Sequence, residues 1–132
     1  MKKDIYVVGA IIVEDGKVLC AQRGPDKSLP YKWEFPGGKI EKGELPEDAL
    51  KREIEEEMNC KVLVKEKVEH TVYEYHFGIV HLTTFICDLI EGYPVLTEHI
   101  AIKWLRNNEL ASLDWAPADI PAIEKLSKEY TF

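Results

Sequence analysis

With 132 residues and a formal net charge of −7, the chain is sized for one core and one active site, and it lacks the basic surplus that holds a nucleic-acid polymer. No apolar run approaches the roughly 20 residues that cross a bilayer, and no signal-peptide pattern follows Met1-Lys2-Lys3-Asp4, so a cytoplasmic protein without a membrane partner is expected. Cys20, Cys60 and Cys87 are odd in number and form no CxxC pair, which points to reduced, mostly buried thiols rather than disulfides or a zinc knuckle.

In chain order, Ile5 to Val13 and Lys17 to Gln22 are β-rich runs joined by Glu14-Asp15-Gly16, a hairpin signal that predicts an antiparallel pair. Arg23 to Lys42 turns to Gly, Pro, Asp and Lys around Trp33-Glu34-Phe35 and reads as a long surface loop carrying function. A helix is predicted over Pro46 to Met58. Pro46 suits its first position, Glu47 and Asp48 complement the dipole, Leu45 is a poor N-cap, and Leu50, Ile54 and Met58 form an apolar stripe. Asn59 suits the left-handed C-cap. Val62 to Val68, Thr71 to Tyr75 and Ile79 to Ile90 read as strands, Ala101 to Leu105 as a short one, and Pro117 to Tyr130 as a closing helix with Ile120, Ile123 and Leu126 inward. The order βββ-α-βββ-α in one 1–132 domain predicts an α/β fold, a mixed sheet sandwiched between helices (α/β/α).

The chemistry-bearing stretch is Gly37-Gly38-Lys39-Ile40-Glu41-Lys42-Gly43-Glu44 followed by Arg52-Glu53-Ile54-Glu55-Glu56-Glu57. On a helix, positions i, i+3 and i+4 share a face, so Glu53, Glu56 and Glu57 converge beside the apolar stripe. Carboxylates at that density suit a hard divalent cation, Mg²⁺ or in its place Mn²⁺. Such an ion neutralises polyphosphate charge and acidifies a bound water, which amounts to phosphoanhydride hydrolysis. Gly37 and Gly38 let the backbone approach closely, and Arg52 is placed to orient a neighbouring carboxylate through a bidentate pair. An acidic run by itself is usually a solvated helix face; the whole spacing, from Gly38 through Glu44 to the paired glutamates, is what distinguishes this one.

Gly38 through Cys60 resembles the Nudix box, with Asn59 where the pattern has Gly and Cys60 where it has a larger aliphatic residue. Trp33-Glu34-Phe35-Pro36-Gly37-Gly38-Lys39-Ile40-Glu41 resembles the MutT-like branch. Leu113-Asp114-Trp115-Ala116-Pro117-Ala118-Asp119-Ile120-Pro121 resembles its C-terminal segment, nearest to CTP pyrophosphohydrolases and oxidised-nucleotide hydrolases.

The resemblance implies Glu53, Glu56, Glu57 and the Gly37 carbonyl as metal ligands, and Glu53, Arg52, Glu44 and Glu98 as the catalytic set. It implies Arg23, Glu34, Phe35, Gly38, Lys39 and Asp119 as substrate contacts. Asp119 would accept from an exocyclic amino group such as cytosine N4, although a helix N-terminal acid stabilised by the dipole is the plainer reading. Phe35 with Tyr73 or Tyr75 would stack on a base. His70, His76, His81 and His99 have no metal-ligand spacing and read as ordinary strand and loop residues. The implied activity is Mg²⁺-dependent cleavage of a nucleoside triphosphate (CTP-like, or an oxidised purine such as 8-oxo-dGTP) to the monophosphate and pyrophosphate, in nucleotide-pool sanitation, by a monomer or homodimer. The rivals are another nucleoside diphosphate derivative as substrate (ADP-ribose or a dinucleoside polyphosphate), or a non-catalytic nucleotide-binding module.

Overall fold

The hairpin expected at the N-terminus sets the sheet. β1 (Asp4–Glu14) and β2 (Lys17–Gln22) pair antiparallel across Asp15 and Gly16. Both turn residues have positive φ, 52° and 75°, the conformation that a two-residue turn between twisted strands demands. The computed structural model describes residues 2–132. After β2 come β3 (Trp33–Glu34), β4 (Gly37–Lys39), helix α1 (Pro46–Met58), β5 (Lys61–Tyr75), β6 (Gly78–Glu91), β7 (Ala101–Leu105) and helix α2 (Ile120–Glu129). The main sheet path runs β3-β2-β1-β6-β5, with β4 on β1 and β7 on β2. β1 and β6 are parallel and the other pairings antiparallel, so the sheet is mixed.

Alternation along β1 serves both faces. Val8, Ala10 and Ile12 meet Leu50, Ile54 and Met58 of α1, while Ile11 joins Trp33, Phe35, Ile123 and Leu126 on the α2 side. The sheet therefore lies between two helical layers. α1 has the predicted boundaries, no side-chain N-cap at Leu45, and Asn59 at φ 53° as its left-handed C-cap.

Four expectations are corrected. The 23–42 loop contains two short strands, β3 paired with β2 and β4 paired with β1, the latter because side-chain-free Gly37 and Gly38 fit edgewise against Gly9 and Val8. Val62–Val68 and Thr71–Tyr75 are one strand, β5, whose register irregularities around Val64, Lys67 and Glu69 absorb the break in alternation. The closing helix begins as a 3₁₀ turn, Pro117–Asp119, before α2. That tighter turn shifts the phase, leaving Ile120 exposed (41%), while Ile123 and Leu126 are buried as expected, together with Ala118 and Ala122.

Candidate functional site

Because Leu50, Ile54 and Met58 fix the rotation of α1 against the sheet, Glu53 and Glu57 come to lie at the edge next to β4. Gly38 is packed against Glu53: a Cβ there would stand 2.3 Å from Glu53 Oε2 and 2.4 Å from its Cδ. A Cβ at Gly37 would fall 1.9 Å from the Val8 carbonyl oxygen. These two glycines thus have different duties, one toward the carboxylate and one toward the sheet.

Arg52 ties the Gly-rich segment to the helix. Its Nε and Nη2 donate to Glu44 at 2.8 and 3.0 Å, its Nη1 to Glu53 Oε1 at 2.9 Å, and its Nη2 also to the Lys39 carbonyl at 3.0 Å. The bidentate partner is therefore Glu44, and Glu53 is held through one bond. Hydrogen bonding from Arg52, then from the Glu41 N–H, holds the Glu44 carboxyl down at about 2, and the same contact raises Arg52. Glu44 positions Arg52 while Arg52 positions Glu53.

Glu57 carries the unmet demand. Its Oε2 is enclosed without a hydrogen-bond partner among the described residues, a costly state for a carboxylate unless something positive compensates it. Burial first, then the charges of Glu53, Glu98 and Glu34, push its carboxyl up to about 8. The cavity beside it is lined by Gly38, Lys39, Glu41, Glu53, Glu56, Glu57, Thr97 and Glu98. Among the described residues no three His, Cys, Asp or Glu side chains are already drawn into a ligand set. The Glu56 side chain is 61% exposed and pairs with Arg52 Nη1 at 3.4 Å. Even so, an orphaned buried carboxylate oxygen in an oxygen-rich acidic cavity fits a hard divalent cation, with Glu53, Glu56, Glu57 and Glu98 as side chains that can turn toward it.

A second cavity, of about 400 Å³, opens from the first and shares Gly38, Lys39, Glu57 and Glu98 with it. Its apolar walls include Val7, Leu29, Phe35, Tyr75 and Leu82, and besides the shared residues its polar groups are Arg23, Lys27, Ser28, Glu34, His99 and Asp119. Asp119 stands at the N-terminus of α2, where the plain helix-end reading puts it, but it is buried and makes no helix-capping hydrogen bond. Burial, then the Glu34 charge, raises its carboxyl well above the usual range, opposed by the Phe35 backbone N–H and Arg23. Arg23 donates to Glu34 Oε1 at 2.9 Å and to Ser28 O and Oγ at 2.6 and 3.0 Å.

The structure thus gathers Gly37, Gly38, Lys39, Glu53, Glu56, Glu57 and Glu98, and opposite them Arg23, Glu34, Phe35 and Asp119. Tyr73 is not brought in: it is 40% exposed and absent from both cavity walls, whereas Tyr75 lines the second. Phe35 reaches that cavity but also packs on Trp115, ring centroids 5.0 Å apart. One participant was missed, and one was named only as a stacking aromatic. His99 Nε2 bonds Glu34 Oε2 at 2.8 Å, and the Tyr75 hydroxyl accepts the Ala118 N–H at 2.8 Å, next to Asp119. No helix among the described residues is long and apolar enough to cross a membrane.

A family model described as NUDIX domain matches residues 3–126. The CTP pyrophosphohydrolase of Escherichia coli K12 is 39% identical over 92% of this chain and 90% of its own length. The 8-oxo-dGTP diphosphatase of the same strain is 34% identical over 97% of this chain and 99% of its own. A solution NMR structure from methicillin-resistant Staphylococcus aureus 252, described as DNA mismatch repair protein MutT of the Nudix hydrolase family, is 59% identical. It superposes with a TM-score of 0.81 over 98% of this chain and 100% of that one.

Proposed function

We propose that this chain, which belongs to the NUDIX family, cleaves nucleoside triphosphates bearing cytosine or an oxidised purine. CTP, dCTP and 8-oxo-dGTP would each yield nucleoside monophosphate and pyrophosphate, in nucleotide-pool sanitation. The relatives named for CTP and 8-oxo-dGTP hydrolysis support that substrate class. The observation that carries the reading is the join between the two cavities: an acidic one around the orphaned Glu57 oxygen and a largely apolar one that Asp119 lines, meeting along Gly38, Lys39, Glu57 and Glu98. A nucleotide laid across that seam has its base in the apolar end and its polyphosphate among the carboxylates.

Divalent-metal dependence is general in the family, and here we assign Mg²⁺, with Mn²⁺ as a substitute. When bound, the cation neutralises polyphosphate charge and acidifies water. Glu53, Glu56 and Glu57, with the Gly37 carbonyl, would hold it. Arg52 keeps Glu53 aimed into the seam, and Glu44 keeps Arg52 from swinging away. Gly38, lacking a Cβ, leaves the room that the Glu53 carboxylate occupies. Water adds to a phosphorus, one bridging P–O bond breaks, and the proton lost by water passes to the carboxylate cluster, to which Glu98 belongs.

Lys39, in both cavity walls, faces the phosphates. Asp119 meets the base edge, where a carboxylate accepts from an exocyclic amino group, and Phe35 and Tyr75 supply its apolar floor. The working unit is the whole chain as a cytoplasmic monomer or homodimer.

The test is pyrophosphate release from CTP, dCTP, 5-methyl-dCTP, 8-oxo-dGTP, dGTP, ATP and ADP-ribose at equal concentrations with Mg²⁺. A preference for cytidine or oxidised-purine triphosphates, flattened by Asp119→Ala, is expected. Silence on every triphosphate contradicts the reading.

A further inference from the structure

The segment between β6 and β7 runs exposed past Val95, Leu96 and Ile100, yet it delivers Glu98 to the seam shared by the two cavities. It is held where it meets the end of α1. The last carbonyls of a helix have no partner within the helix, and here they are taken in turn. Glu55 O accepts the Asn59 N–H at 3.1 Å, Met58 O the Val95 N–H at 3.1 Å, and Glu57 O the Thr97 hydroxyl. On the other side of Glu98, His99 turns inward, its side chain only 8% exposed, and bonds Glu34 at 2.8 Å. Glu34 is itself fixed by Arg23 at 2.9 Å, and the Ile100 N–H reaches the Gln22 carbonyl at 3.0 Å. Glu98 is thus flanked by two side-chain anchors. One is on the helix residue that carries the orphaned carboxylate, and the other is on the β3 residue of the base-side cavity.

We infer that Thr97 and His99 are positioning residues that clamp Glu98 beside Glu57, so that the exposed segment supplies a fixed acidic group to the cation site. This rests on the cation-binding reading given above. Without both anchors, the backbone bonds described for this segment are those of Val95 and Ile100, with Leu96 to His99 between them, and Glu98 samples positions away from Glu57. The clamp also explains why a histidine without metal-ligand spacing is buried at this place: it anchors the segment and leaves ligation to its neighbour.

The experiment is titration of Mn²⁺ alone, followed by electron paramagnetic resonance and calorimetry, with thermal melting to verify folding. It compares the unaltered protein, Glu53→Gln, Glu98→Gln, Thr97→Val, His99→Ala and His99→Gln, and the doubles that join each of Thr97→Val and His99→Ala with Glu98→Gln. Removing Glu98 is expected to weaken Mn²⁺ binding about 10-fold, the lower end of what a supporting group at a metal site contributes. Thr97→Val and His99→Ala should each weaken it several-fold on their own and add nothing in the Glu98→Gln background, because the clamp acts only through that carboxylate. His99→Gln, whose amide still donates to Glu34, should recover most of the loss. In turnover, kcat should fall with KM little changed.

Additive losses in the doubles overturn the proposal, as does Mn²⁺ binding that falls with Glu98→Gln yet ignores both anchors. Thr97→Val is nearly isosteric at an exposed position, so it decides the matter if the buried His99→Ala does not fold. Absence of Mn²⁺ binding by the unaltered protein, or binding indifferent to Glu53→Gln, overturns the cation reading and this inference with it. Intact binding that depends on Glu53 but not on Thr97, Glu98 or His99 overturns the clamp alone.

Discussion

Alanine at Gly37 and at Gly38 adds the same methyl group one residue apart, and the structure predicts opposite consequences. At Gly38 the new Cβ lies 2.3 Å from Glu53 Oε2. To reach a tolerable 3.0 Å the carboxylate must retreat by about 0.7 Å, which a side chain can do without moving the backbone. Stability should change by less than about 1 kcal/mol. A catalytic group displaced on the order of 1 Å costs roughly 100-fold in rate, so Gly38→Ala should lose about that in kcat. At Gly37 the Cβ lies 1.9 Å from the Val8 carbonyl oxygen and 3.0 Å from Gly9 Cα, so relief of about 1.1 Å must come from β4 leaving β1. The cost should sit at the upper end of the roughly 1–3 kcal/mol of overpacking, a fall in Tm of about 10 °C. Thermal melting followed by pyrophosphate-release kinetics on both variants checks this. Full turnover in Gly38→Ala, or an unshifted melting temperature in Gly37→Ala, refutes the division of labour between the two glycines.

Arg52→Lys keeps the charge but loses the fork that holds Glu44 and Glu53 together, so kcat should drop roughly 10- to 100-fold; a variant with unaltered steady-state kinetics would remove Arg52 from its positioning role. Glu57 titrates near 8 in the folded protein against about 4.5 unfolded. In EDTA its stabilising contribution is therefore complete below pH 4.5 and is lost as pH rises through 8. The melting temperature in EDTA should fall across that window, and Glu57→Gln should flatten the fall; identical pH profiles for the two proteins would contradict the burial argument. Ile54→Ala empties a site with no solvent exposure between α1 and the sheet and should cost about 2–5 kcal/mol, read as a lower urea midpoint at unchanged slope; a loss below 1 kcal/mol would mean that α1 is not anchored there.

How much of this was legible in the sequence depends on how local the cause is. α1 was readable to the residue because its signals are all within it: Pro46 at the start, apolar residues four apart, and Asn59 able to take the left-handed turn. β4 was not, since Gly37-Gly38-Lys39 has no strand propensity and becomes a strand only because β1 offers an edge that a side chain would block. The continuity of β5 depends on irregular pairing with β6 that swallows Lys65 and Glu66, and the exposure of Ile120 on a change of helical pitch one turn earlier.

At the site, the carboxylate face followed from helical spacing. The Arg52–Glu44 fork joins residues eight apart across a turn and the helix start, close enough in sequence to be guessed only in outline. His99 was invisible, because its partner Glu34 is 65 residues away and nothing around His99 announces the contact. Tyr75 was visible as an aromatic, but its hydrogen bond to the Ala118 N–H could be found only by folding the chain.

The most direct test of the central claim is pyrophosphate release from CTP and 8-oxo-dGTP, measured in one assay with Mg²⁺, after EDTA, after Mg²⁺ is restored, and with folded Glu53→Gln. Turnover with Mg²⁺, none in EDTA, recovery on restoring the ion, and a loss of several orders of magnitude in the variant are expected. Undiminished release in EDTA, or a Glu53→Gln protein as active as the unaltered one, would contradict that claim.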